Sequence, residues 1–191
     1  MRITRTFFSI AILASTTLLL ACGSDESSEP MRIEDLPPES RLIVGAAGAR
    51  PYNGEAEAFL SLLAFEPLLP GEVPDDLPLT TATLLPSETP RGKVDEKARL
   101  ILEYRGEGEE PPLVYLSQEK QPMADLSALA IGTVDIAGIE AQVIDFQDGN
   151  IQVMWHACDL TLALNSSHFD QDALASMGES VTDACESGEV G

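Results

Sequence analysis

The chain has 191 residues, with 32 acidic and 11 basic side chains and a formal net charge of −21. That length allows one globular domain with a tail. The charge argues against nucleic acid as a partner, because affinity for phosphate backbones comes from Lys and Arg, and against docking on anionic lipid by surface charge. A hydrophobic content of 44% is too rich for a disordered acidic tail, and two histidines leave few ingredients for a catalytic site.

The N-terminus reads as an address. Arg2 and Arg5 precede an apolar run from Phe7 to Leu20. The run is too short to span a bilayer comfortably, which takes about 20 residues. A charged segment, a short apolar segment and a small residue before the cut make a secretory signal over residues 1–21. The run ends Leu19-Leu20-Ala21-Cys22, which resembles the lipobox of bacterial lipoproteins. The resemblance implies that Cys22 is acylated (palmitate among the chains) and becomes the first residue of the mature protein. Cleavage removes Arg2 and Arg5 and no acid, so the anchor would have to be the acyl chains rather than charge. Two or three chains at ~0.8 kcal/mol per buried methylene suffice. Gly23 stands where an inner-membrane retention signal would have Asp. The expected location is therefore the cell envelope, lipid-anchored, with the outer membrane favoured and the protein facing the periplasm or the cell surface.

Residues 23–29 are Gly, Ser, Asp and Glu only, and Pro30, Pro37 and Pro38 follow. Residues 22–40 thus read as the lipidated Cys and a flexible acidic linker, and residues 41–191 as a single domain. Arg41–Val44 suits a first short strand. Ala56, Phe59, Leu60, Leu63 and Ala64 recur near helical spacing, which predicts a short amphipathic helix. Pro67, Pro70, Pro74 and Pro78 forbid regular structure in the next segment, which should lie across the domain with Leu68 and Leu69 tucked in.

From Leu79 onward the pattern is strands and turns. Strands are expected over residues 79–85, 97–105, 113–118, 133–136, 139–146, 151–156 and 160–164. Leu100, Leu102 and Tyr104 fall on one face, as do Ile151, Val153 and Trp155, and Leu160, Leu162 and Leu164. Ala137-Gly138 and Asp148-Gly149 are tight-turn signals. After Asn165-Ser166-Ser167, with Ser167 or Asp170 as cap, a final helix carries Leu174, Met177, Val181 and Cys185 at three- and four-residue spacing. The expected fold is α+β: a curved antiparallel meander of about six to seven strands with a C-terminal helix on one face.

Cys158 and Cys185 remain once Cys22 is lipidated. Exported chains meet an oxidising compartment, so an even pair is a disulfide candidate. The strand after Cys158 runs about 17 Å away at ~3.4 Å per residue. The helix returns about 22 Å at ~1.5 Å per residue. Residue 185 therefore comes back beside residue 158, and the closed loop contributes ~3–4 kcal/mol.

Catalytic chemistry is sought and not found. His156-Ala157-Cys158, with His168, offers soft metal ligands, yet no CxxC or HxxxH spacing accompanies them. No G-x-S-x-G elbow is present, and Gly45-Ala46-Ala47-Gly48 is too short for a phosphate cradle. Asp75-Asp76 and the acids between Glu107 and Glu110 lack calcium-loop spacing. No catalytic residue, metal or cofactor is expected, and a hydrolase would need a cleft placing His156 or His168 beside a nucleophile.

One stretch of the chain resembles a small uncharacterised bacterial domain found in lipoproteins and in the extracytoplasmic part of anti-sigma-factor-like membrane proteins. The matching positions are Leu68-Leu69-Pro70 through Pro78, the strands at 100–105 and 114–118, and the hairpin at 134–141. Trp155, the apolar strand at 160–164, Asp172-Ala173-Leu174 and Gly178-Glu179-Ser180-Val181 complete them. The likeness covers roughly residues 64–185. It implies a curved sheet with a helix packed on it, loosely similar to the periplasmic lipoprotein-carrier architecture, and carries over no catalytic residue. The function to expect is a non-enzymatic envelope protein that binds another envelope protein or a ligand as a sensor accessory. The alternative is a carrier or chaperone that holds an acyl chain or lipoprotein in an apolar hollow of the sheet.

Overall fold

The computed structural model describes residues 33, 41–45, 50–52, 56–74, 77–86, 95–122, 126, 128–146 and 149–187. Cys22 and, apart from Ile33, the segment 22–40 lie outside these residues, as do Ala46 to Gly48, Asp75 and Asp76. The elements run β1 (Arg41–Val44), β2 (Arg50–Pro51), α1 (Ala56–Leu60), β3 (Leu79–Leu85), β4 (Arg99–Arg105) and β5 (Leu113–Glu119). They continue β6 (Ala130–Ile136), β7 (Ile139–Asp145), β8 (Ile151–Ala157), β9 (Leu160–Ser166) and α2 (Gln171–Ser187).

The α+β class and the C-terminal helix stand as expected, but the sheet differs from the expectation in three ways. It has nine strands, or eight without the two-residue β2, rather than six or seven. It is mixed, because β1 runs parallel to β3. It is also not one meander: the order is β2-β1-β3-β4-β5-β9-β8-β7-β6. Physical reasons account for the last two. The long path through α1 and the proline segment gives the chain room to return in the same direction, which a parallel pair requires. After β5 the chain crosses to the far edge, lays down β6 and meanders back until β9 pairs with β5. Among the long strands β6 is the most exposed, with one fully buried side chain, so it suits an edge, whereas β9 has five and takes the centre.

Alternation splits every strand between two faces. Leu100, Leu102 and Tyr104 of β4, Val114, Leu116 and Gln118 of β5, and Leu160, Leu162 and Leu164 of β9 are all buried on the first face. Val153 and Trp155 of β8 join them, with Ala141 and Val143 of β7 and Ile136 of β6. Helix α2 packs on the β6–β8–β9 end of this face. Its stripe of Leu174, Met177 and Val181 is fully buried, and each such side chain contributes ~1.5–3 kcal/mol. The helix starts at Asp170, not Ser167: the Asp170 carboxylate accepts the amide hydrogen of Ala173 at 3.0 Å. Gly178 lets the helix approach closely, since a Cβ there would lie 2.8 Å from the Ile136 methyl and 3.4 Å from the Trp155 ring. The Trp155 indole N–H donates to the Thr182 hydroxyl at 3.2 Å, which donates to the Gly178 carbonyl at 2.9 Å.

The β3–β5 end of the same face is closed by the segment between α1 and β3. Phe59, Leu62, Leu63, Leu68 and Leu77 are buried there, with Ile33 beside them in the same core. Prolines leave this segment without strand partners, and Gln118 supplies one. Its amide donates to the Leu68 carbonyl at 2.6 Å and accepts from the Leu68 N–H at 2.8 Å. A fully buried side chain thus satisfies both backbone groups of a residue that has no ladder.

Candidate ligand-binding hollow

The second face of the sheet is built differently. The register aligns Thr83, Ile101, Ser117, Ala163, Met154 and Gln142 in one row across five neighbouring strands and β3. The next row reads Glu103, Tyr115, Asn165, Gln152 and Ile144, and the row on the other side reads Arg99, Glu119, Thr161 and His156. Ser117 and Ala163 are cross-strand neighbours and both are small, whereas Ile101, Tyr115, Met154 and Arg99 around them are large. That size difference sinks a depression of about 580 Å³ into the sheet, within the range of small-molecule sites. Leu126, from the β5–β6 crossover, and Phe146, after β7, stand at its rim.

The crossover is fixed at its start, where the Thr161 hydroxyl donates to the Gln121 carbonyl at 2.6 Å. Ile144 and Met154 are buried on this face although they stand apart from the main core, so its β7–β8 side carries buried apolar side chains beside Gln142 and Gln152. The opposite side is polar and ion-paired. The Arg99 guanidinium lies 2.7 Å from the Glu119 carboxylate, and Arg105 lies 2.7 Å from Glu103. Tyr115 titrates above the usual phenol range, first because burial penalises the phenolate and then because the Glu103 charge repels it. Its hydroxyl is therefore a neutral group at physiological pH. On the β7–β8 side, the Gln142 amide oxygen is buried without a hydrogen-bond partner among the described residues.

Cys158 and Cys185 are joined by a disulfide, with their Cα atoms 6.4 Å apart across a sequence separation of 27. The turn that presents Cys158 has φ of +56° at Cys158 and +61° at Asp159, the left-handed pair that a two-residue hairpin needs. A second, shallower depression of about 280 Å³ adjoins this bridge, between Phe65, Lys120 and Leu160. The possible ligand set of His156, Cys158 and His168 is not assembled. Cys158 is in the disulfide, His156 pairs across from Thr161 near the start of β9, and His168 follows the far end of that strand. Among the described residues no group of three or more His, Cys, Asp or Glu could hold a metal ion. The loop between Glu107 and Glu110 is exposed.

The sequence raised an apolar hollow of the sheet as an alternative but pointed to none of the residues that form this one. The signal was present in part, as small residues at Ser117 and Ala163 on otherwise well-filled strands, but their adjacency depends on the β5–β9 pairing. The chain matches no protein-family model, no curated protein and no solved structure.

Proposed function

We propose that this chain is an exported, lipid-anchored binding protein of the cell envelope, tethered through acylated Cys22 and holding a small ligand in the hollow between Ser117 and Ala163. The observation that supports the reading is the contrast between the two faces of one sheet. One face is filled by α2 and the proline segment. The other carries a depression of about 580 Å³ floored by short side chains and lined by both apolar and polar ones. Hydroxyls and amides at Ser117, Thr83, Asn165 and Gln152 can orient a ligand, while Met154, Phe146 and Leu126 cover its apolar part. This arrangement favours the carrier-type alternative over a purely protein-binding role.

Two measurements test the reading. Metabolic labelling with a palmitate analogue should mark the wild-type protein and spare Cys22→Ser. Native mass spectrometry of the mature chain should show a bound small molecule that Ala163→Phe loses. An unlabelled wild-type protein would remove the anchor, and identical ligand occupancy in Ala163→Phe would remove the hollow.

A partner-protein reading has one observation in its favour. The edge strand β6 exposes Ile131 at 64% and is preceded by Leu129 at 57%, and an unpaired edge can accept an added strand. Ile131→Lys would then abolish capture of the partner while leaving ligand occupancy intact.

A further inference from the structure

We infer that the hollow selects an uncharged amphiphile, an apolar chain carrying neutral hydrogen-bonding groups such as an acyl glyceride, and that the Arg99–Glu119 pair sets this choice against the corresponding carboxylate. The inference rests on the reading of the hollow as the ligand site. Among the described residues, Arg99 is the one cationic side chain on the lining, and Glu119 the one anionic side chain. They are bonded to each other at 2.7 Å, so the lining presents a dipole with no net charge. An anionic head would have to separate that pair or sit beside Glu119. It would also enter the field of a chain whose formal charge is −21. A cationic head would gain Glu119 only by facing Arg99. A hydroxyl can accept from the guanidinium and donate to the carboxylate edge, and an ester oxygen can accept from the guanidinium, without parting them.

The remaining lining fits the same ligand. Ser117, Thr83, Asn165 and Tyr115 are neutral donors and acceptors, the Tyr115 phenol being protonated at neutral pH as an ordinary tyrosine is. They lie on the β3–β5–β9 side. Met154 and Phe146, with Leu126 of the crossover, add apolar surface, and Gln152 of β8 adds a further amide, so the lining offers an amphiphile both kinds of contact.

The test is equilibrium dialysis on the complete mature chain, exported behind a cleavable signal with Cys22→Ser so that it carries no acyl group of its own. The probes are a monoacylglycerol and the fatty acid of equal chain length, each below its micelle concentration at neutral pH. The glyceride should bind, with the carboxylate weaker by about tenfold or more, the usual cost of opposing a neutralised cation with a like field. Glu119→Gln leaves the guanidinium unpaired and should shift the preference toward the carboxylate by a comparable factor. Ala163→Phe and Ser117→Leu fill the floor and should each abolish glyceride binding, with an unchanged urea midpoint showing that they are folded. If the wild-type chain binds the carboxylate as tightly as the glyceride, or Glu119→Gln leaves the preference where it was, the charge-based selection is overturned while the hollow stands. If neither probe binds, or both filled variants bind as the wild type does, the hollow itself is overturned as the site.

Discussion

Opening the Cys158–Cys185 bridge should remove a large part of the stability of the domain, and the size of the loss follows from the loop it closes. The two cysteines are 27 residues apart in sequence. In the chain-entropy treatment a loop of that length restricts the unfolded chain by roughly 12 cal/mol/K, or about 3.5 kcal/mol at 25 °C. Total stabilities of single domains are about 5–15 kcal/mol, and the ratio of folded to unfolded chains would fall by roughly 400-fold. For a domain of this size the same loss lowers Tm by roughly 7–14 °C. Two features argue that the native side adds little compensation. Cys185 lies half-buried on the apolar stripe of α2, and Cys158 sits in a turn whose left-handed geometry the hairpin already demands. The assay is urea denaturation of the Cys22→Ser mature chain, followed by Trp155 fluorescence, with and without reductant. Cys158→Ser/Cys185→Ser serves as the permanently open form. The reduced protein and the double variant should unfold at the same lower midpoint. A midpoint that moves by less than about 1 kcal/mol in both would refute the loop-entropy argument. Two alkylatable thiols in the untreated native protein would refute the bridge.

Three further outcomes are expected. Gln118→Leu keeps the volume but strips Leu68 of both backbone partners, and should cost about 2–4 kcal/mol in urea midpoint, because two buried groups lose their bonds; a near-neutral result would mean that the segment finds another anchor. Ala137 holds φ of +50° in the β6–β7 turn and precedes Gly138 at +82°, so Ala137→Asn should stabilise by about 0.5–1 kcal/mol, as the left-handed region is easier for Asn, and an unchanged midpoint would argue against strain there. Tyr104 is buried, and burial pushes its phenol well above the usual phenol range. Since the folded state resists ionisation, this contribution is complete below pH 10 and declines as the pH climbs beyond it, where only the unfolded chain releases the proton readily. Urea midpoints should therefore fall above pH 10 in the wild type and fall less steeply in Tyr104→Phe; parallel slopes would assign the alkaline loss to other groups.

Each strand except the two-residue β2, which falls in a small, polar stretch that reads as loop, announced itself locally. In β4 the order Leu100, Leu102, Tyr104 already separates two faces, and the buried set in the structure is that same trio. The helix stripe at Leu174, Met177 and Val181 behaves likewise, and so does the Ala137-Gly138 turn. The cysteine pairing was legible too, because one strand out and one helix back is a distance that chain geometry alone supplies. Gln118 was opaque. Nothing near it in sequence marks it as a backbone partner, since Leu68 stands 50 residues away.

What the amino-acid order determined by itself is whatever depends on neighbours a few residues apart: strand periodicity, turns, the amphipathic helix and which side of each strand seeks burial. What only the tertiary structure decided is which strands become neighbours. Hydrogen-bond ladders are nearly indifferent to sequence, so the same hairpins could have formed one continuous meander. The crossover after β5 instead put β9 at the centre, and that choice set Ser117 beside Ala163, whereas Arg99 meets Glu119 through the β4–β5 hairpin. The floor of the hollow is a product of that contact between distant segments, which is why no local pattern placed its residues.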